Sequence, residues 1–79
     1  MKKGLQNSVS EKQLIYLGNQ IKNLRLENEM TQLDLAIKID IDPTALRRYE
    51  KGQVEMGVNT LIKFAKTFKV TFDRLLISK

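Results

Sequence analysis

The chain has 79 residues, 42% hydrophobic and 29% charged, with a formal net charge of +5 and a pI near 9.7. A chain of this length makes one small domain that buries about 60–65% of its extended surface. Cysteine and histidine are both absent, which excludes a disulfide framework, thiolate or imidazole metal ligation and the commonest general base, while the basic balance favours an anionic partner such as nucleic acid.

The opening "MKKGLQNSVS" is polar and reads as a flexible N-terminal tail over residues 1–10 that ends in a cap. Its lysines have no apolar run behind them, unlike a signal peptide, and no window approaches the ~20 apolar residues of a membrane span. The expected location is cytoplasmic. Ser10 is placed to cap a first helix, on which Leu14, Leu17, Ile21 and Leu24 share one face at 100° per residue. Arg25 falls on that same apolar face. Ile15 and Leu26 form a second, weaker stripe.

Thr31 restarts the chain with Asp34 three residues on, a capping-box pattern. The short helix 32–39 then carries Leu35, Ala36 and Ile39 at inward spacing. "DID" at residues 40–42 is a tight break. Asp42 caps a third helix whose first turn holds Pro43, where the missing N–H does no harm. After Lys51, "GQVEMG" reads as a loop. Leu61, Ile62, Phe64, Ala65 and Phe68 make an amphipathic fourth helix, and Thr71 caps a short last one with Phe72, Leu75 and Leu76. Phe64, Phe68 and Phe72 read as core by their helical spacing. No segment alternates strictly enough for a strand. The expected fold is all-α, five helices on one core, with residues 11–79 as a single domain.

The third helix carries the functional signal. Leu46 and Tyr49 define its inward side with Glu50 at the edge, whereas Thr44, Arg47, Arg48 and Lys51 cluster on the other. Two short helices joined by such a turn pack at a steep angle and leave the second one proud. A proud helix fits the major groove, about 12 Å wide, with its cations against phosphates and guanine edges. The competing reading is an ordinary solvated face. Arg25 and Glu50, each on or beside an apolar face, would each cost several kcal/mol to bury alone, so the two are expected to touch.

"LGNQIKNLRLENE", "MTQLDLAIKIDIDPTALRRYEKG" and "NTLIKFAKTFKVTFDRLL" together resemble the phage repressor and Cro class of helix-turn-helix domains over roughly residues 17–76. The most specific elements are Leu24-Arg25, the "TQ" that opens the second helix, Leu35-Ala36, the "YEKG" ending and "VTFDRLL". The resemblance implies a lambda-repressor-like fold with the helix-turn-helix at helices two and three. It also implies roles. Gln32 contacts phosphate and braces the recognition helix; Pro43, Thr44 and Arg48 fall at base-reading positions, with Ala45 near the same edge; Lys51 holds the backbone; and Arg25 with Glu50 matches an internal ion pair. The sequence departs from the pattern at Asp40, where glycine is usual, at Met56-Gly57, where Pro-Ser usually opens the fourth helix, and at Pro43, which offers no hydrogen bond to a base.

Arg48 is the candidate for direct readout, since a guanidinium grips guanine O6 and N7 together; the alternative is a phosphate contact. Arg47 leans toward phosphate. Thr44 offers a hydroxyl to phosphate or a methyl to thymine, and a surface helix role is an equal alternative. Ala45 senses a thymine methyl or leaves room. Lys2 and Lys3 form either a solvated tail or a groove-seeking arm. The leading function is a sequence-specific double-stranded DNA-binding transcriptional regulator, acting as a homodimer on a palindrome with half-sites ~34 Å apart, similar to small phage repressors and restriction–modification controllers. The dimer contact would come from the last helix, the Ile77 end, the second stripe of helix one or the tail, with Leu75 in an apolar patch or in the core. The alternative function is a helix-turn-helix antitoxin or a protein-interaction adaptor. No nucleophile–base arrangement appears, so neither an enzyme nor a cofactor is expected.

Overall fold

The computed structural model describes residues 10–76, which form five α-helices in the order α1 (Glu11–Glu27), α2 (Gln32–Ile39), α3 (Pro43–Glu50), α4 (Val58–Phe68) and α5 (Phe72–Leu76). The expectations for the tail at residues 1–9, including Lys2 and Lys3, and for Ile77 lie outside the described residues. Among the described residues, no helix is long and apolar enough to cross a membrane.

Four of the five helices start where a side chain supplies a cap. Ser10 and Gln13 form a reciprocal capping box at α1, and Thr31 and Asp34 do the same at α2. The Asp42 carboxylate accepts from Thr44 N at 3.0 Å, so it satisfies a first-turn donor of α3 while Pro43 needs none. Thr71 Oγ1 accepts from Arg74 N at 3.2 Å at α5. Gly57 opens α4 with no side-chain bond. The stops are left-handed: Asp40 at φ 60° after α2, Gly52 at φ 71° after α3 and Lys69 at φ 57° after α4. Beyond each of them the chain folds back, Ile41 N donating to Ala36 O at 2.9 Å, Gln53 N to Arg48 O at 3.0 Å and Val70 N to Ala65 O at 3.0 Å.

The inward faces meet in one core of Leu17, Ile21, Leu24, Leu35, Ala36, Ile39, Leu46, Phe64, Ala65 and Leu75. Phe64, Ile21, Leu35, Leu46 and Leu75 are fully buried, each contributing about 1.5–3 kcal/mol relative to exposure. α1 packs on α3 and α5, α2 on α3 and α4, and α4 on α5, so α3 is held from two sides. Gln20 of α1 adds a hydrogen bond, Nε2 to Arg74 O at 2.9 Å, that ties α5 to the body. Tyr49 meets Phe64 edge-on at 6.4 Å between centroids, and Phe64 lies parallel to Phe68 at 6.5 Å.

One expectation changes and one alternative is settled. Phe72 is not core: it is 41% exposed, because the five-residue α5 covers the body with one side only and Leu75 occupies the inward position. Leu75 is accordingly core rather than part of a surface patch. Ile15 and Leu26, the weaker stripe of α1, face solvent at 50% and 53% exposure.

One contact went unread in the sequence. Gly18, in the middle of α1, lies against the end of α3, and a Cβ there would sit 2.4 Å from Tyr49 O and 2.6 Å from Glu50 O. No side chain fits between those two backbones. The signal was present, since Gly18 precedes Arg25 by seven residues and so shares its buried face.

Candidate nucleic-acid interface

α3 turns Leu46 and Glu50 inward, half-buries Ala45 and Tyr49, and leaves Pro43, Thr44, Arg47, Arg48 and Lys51 exposed. The eight-residue helix therefore has one apolar flank and one continuous flank bearing a hydroxyl, two guanidinium groups and, just past its end, an ammonium. This partition follows from the 3.6-residue period: positions 46, 49 and 50 share one arc, and positions 43, 44, 47, 48 and 51 share the rest.

What fixes α3 is polar as well as apolar. Arg25 Nε donates to Glu50 Oε2 at 2.7 Å, Arg25 Nη2 donates to Glu50 Oε1 at 3.1 Å, and Arg25 Nη1 donates to Met30 O at 2.9 Å. Gln32 Nε2 donates to the same Glu50 Oε1 at 3.0 Å. The carboxylate thus receives three donors from α1 and α2, and the guanidinium also reaches the loop between those helices. A planar fork on a carboxylate holds direction as well as distance. The start of α2, the last turn of α1 and the end of α3 are bound into one unit.

Of the residues singled out in the sequence, the structure thus brings Arg25, Gln32 and Glu50 together in one network and sets Pro43, Thr44, Arg47, Arg48 and Lys51 on one exposed flank, with Ala45 at its border. Sequence reasoning missed Asn19 and Lys22. Together with Ile15 they occupy positions i, i+4 and i+7 of α1, a single face, and with Lys51 they line an open trough of about 410 Å³. The signal available is that face itself, on which Ile15 and Leu26 stand out only as a weak apolar stripe.

The helix-turn-helix family profile matches residues 21–75. No curated protein matches the chain. Among solved structures, the wild-type restriction–modification controller protein C.Esp1396I is 33% identical, covering 73% of this chain and 75% of its own, with a TM-score of 0.67. The controller protein C.AhdI from Aeromonas hydrophila is 22% identical over 80% of this chain and 96% of its own, with a TM-score of 0.74. The SOS-response transcriptional repressor LexA from Eubacterium rectale is also 22% identical, over 91% of this chain and 77% of its own, with a TM-score of 0.82. A match that takes in both short helices, the turn between them and the core around them makes the chain a member of the helix-turn-helix family.

Proposed function

We propose that the protein is a DNA-binding transcriptional regulator that reads double-stranded DNA in sequence, with α3 in the major groove. The observation that carries this reading is the two-sided character of α3: Leu46 and Glu50 are buried and braced, while Arg47, Arg48, Thr44 and Lys51 stand free on the outer flank. Arg48 is the base reader, through a bidentate contact to guanine. Arg47 and Lys51 hold phosphates, Gln32 spends one amide hydrogen on Glu50 and offers the other to the backbone, and Thr44, Pro43 and Ala45 fill the groove by shape. Family membership supports the assignment, as does the likeness to a restriction–modification controller.

One such helix spans only a few base pairs, so the acting species is a homodimer on a palindrome with half-sites ~34 Å apart. Phe72 and Leu76, side by side on α5 at 41% and 40% exposure, are the apolar pair that supports a contact there. A second reading, a protein-interaction adaptor or antitoxin, has one observation in its favour. Leu33 and Ile37 lie four residues apart on the outer face of α2 at 56% and 69% exposure.

Selection of bound duplexes from a random pool separates the readings. A DNA reader enriches a palindromic motif, and Arg48→Ala relaxes preference at one or two symmetric positions. Loss of affinity on every sequence alike would reassign Arg48 to a phosphate. A pool that yields no motif, with binding that barely responds to salt, would favour the adaptor.

A further inference from the structure

The trough beside the recognition helix carries an inference that rests on the DNA-binding reading and extends it. Its floor is the Arg25–Glu50 pair with the Gln32 amide. Ile15, Asn19 and Lys22 line it from α1 and Lys51 from the end of α3, and Ile15 and both lysines are exposed. Both oxygens of the Glu50 carboxylate are already engaged, Oε2 by Arg25 and Oε1 by Arg25 and Gln32. Three cationic side chains therefore face one neutralised carboxylate, a formal excess of two positive charges around a concave surface.

We infer that this trough seats a backbone phosphate of the duplex, outside the base pairs that α3 reads, with Lys22 as a DNA-contacting residue on α1. Several features support an anion here rather than an apolar guest. The cations project from two different helices, so an occupant between them sees charge from two directions. Asn19, one turn before Lys22, adds an amide donor on the same face. The floor is rigid, because the guanidinium, the carboxylate and the amide all hold one another, so a phosphate would meet a preformed surface. Lys51, placed beside the backbone at the end of α3, is common to the trough and the recognition flank. A strand whose bases lie against Arg48 would thus have a neighbouring phosphate led toward Lys22 by continuity of the chain.

Phosphate contacts fix register without reading sequence, which sets the test. Binding of the full chain to its selected duplex is measured across a salt series for wild type, Lys22→Gln and Lys63→Gln. Lys63 lies on α4 in a different cleft, and its substitution removes the same charge. The expected result is that Lys22→Gln lowers the magnitude of the log–log salt slope by about 0.9, the value for one B-DNA phosphate, weakens binding on every sequence alike and leaves the selected motif unchanged. Lys63→Gln should leave the slope as in wild type. An unaltered slope in Lys22→Gln, or an equal fall in Lys63→Gln, overturns the inference while the DNA-binding reading stands. Wild-type protein that binds duplex without a salt slope overturns the reading itself.

Discussion

Arg25 and Glu50, 25 residues apart in the chain, meet in a two-pronged ion pair whose side chains are 9% and 3% exposed. The pair joins α1 to the last residue of α3, so the helix that carries Arg47 and Arg48 ends on a charge it can satisfy only inside the fold. Removing one partner leaves the other buried and unmatched. Glu50→Ala is expected to destabilise the domain by about 3–5 kcal/mol, a large share of the roughly 5–15 kcal/mol typical of a small domain. Urea unfolding followed by circular dichroism measures it. A loss below 1 kcal/mol would mean that the pair does not hold α3.

Gly18→Ala tests the backbone contact on the same helix end. The added methyl would lie 2.4 Å from Tyr49 O and 2.6 Å from Glu50 O, and main-chain atoms within a helix do not swing aside. Although alanine is the better helix former by about 1 kcal/mol, overpacking opposes that gain with about 1–3 kcal/mol or more. The expected outcome is a net loss of stability and a shift of α3 visible in amide chemical shifts at residues 49–52. Stabilisation would show that the two helices separate freely.

Asp40 sits at φ 60° and ψ 55°, the left-handed region that a side chain enters at some cost. Asp40→Gly is expected to raise stability by about 0.5–1 kcal/mol, since glycine is the residue that best fits a left-handed helix stop. The gain is partly offset by the greater freedom of glycine in the unfolded chain. Thermal unfolding at matched concentration reads the sign, and a lower midpoint would show the carboxylate to be stabilising.

The capping box at α2 gives a pH signature. Thr31 N donates to the Asp34 carboxylate at 2.9 Å while the Thr31 hydroxyl accepts from Asp34 N at 3.0 Å. The main-chain N–H of Thr31 first, and its side chain second, hold the Asp34 carboxyl below its ordinary value of 3.8. A carboxylate depressed in the folded state adds stability that is fully present above 3.8 and is lost as the pH falls through the lower folded value. Asp34→Asn keeps an accepting oxygen without the titration, so its stability should fall less steeply across the acid range than that of wild type. Parallel acid profiles for the two proteins would remove Asp34 from the acid response.

Much of this was legible because the chain marks its helix starts in side chains. Ser10, Thr31, Asp42-Pro43 and Thr71 each sit where the structure begins a helix, and the apolar period picks out Leu17, Ile21, Leu35, Leu46 and Phe64 as inward. The meeting of Arg25 with Glu50 followed from two charges on apolar faces, which have few ways to be buried. Other features depend on which surfaces face each other, and periodicity along one helix is silent about that. Phe72 has the spacing of a core residue, yet α5 is too short to bury both it and Leu75. Met30, Ile41, Met56 and Val70 pack on the core from connecting segments, where no period exists to reveal them. Lys22 and Asn19 take on meaning only when α1 is laid beside Lys51.

The seat that Gly18 offers is made of carbonyl groups, which every amino acid possesses. Side chains at 44, 47 and 48 take no part in it, so the mount for α3 is indifferent to the letters mounted. Replacing those three residues together should change the preferred operator while moving unfolding free energy by no more than about 0.5 kcal/mol. On the DNA-binding proposal, new specificities are then reachable from a scaffold that stays intact, a route by which one domain architecture can diverge across many binding sites.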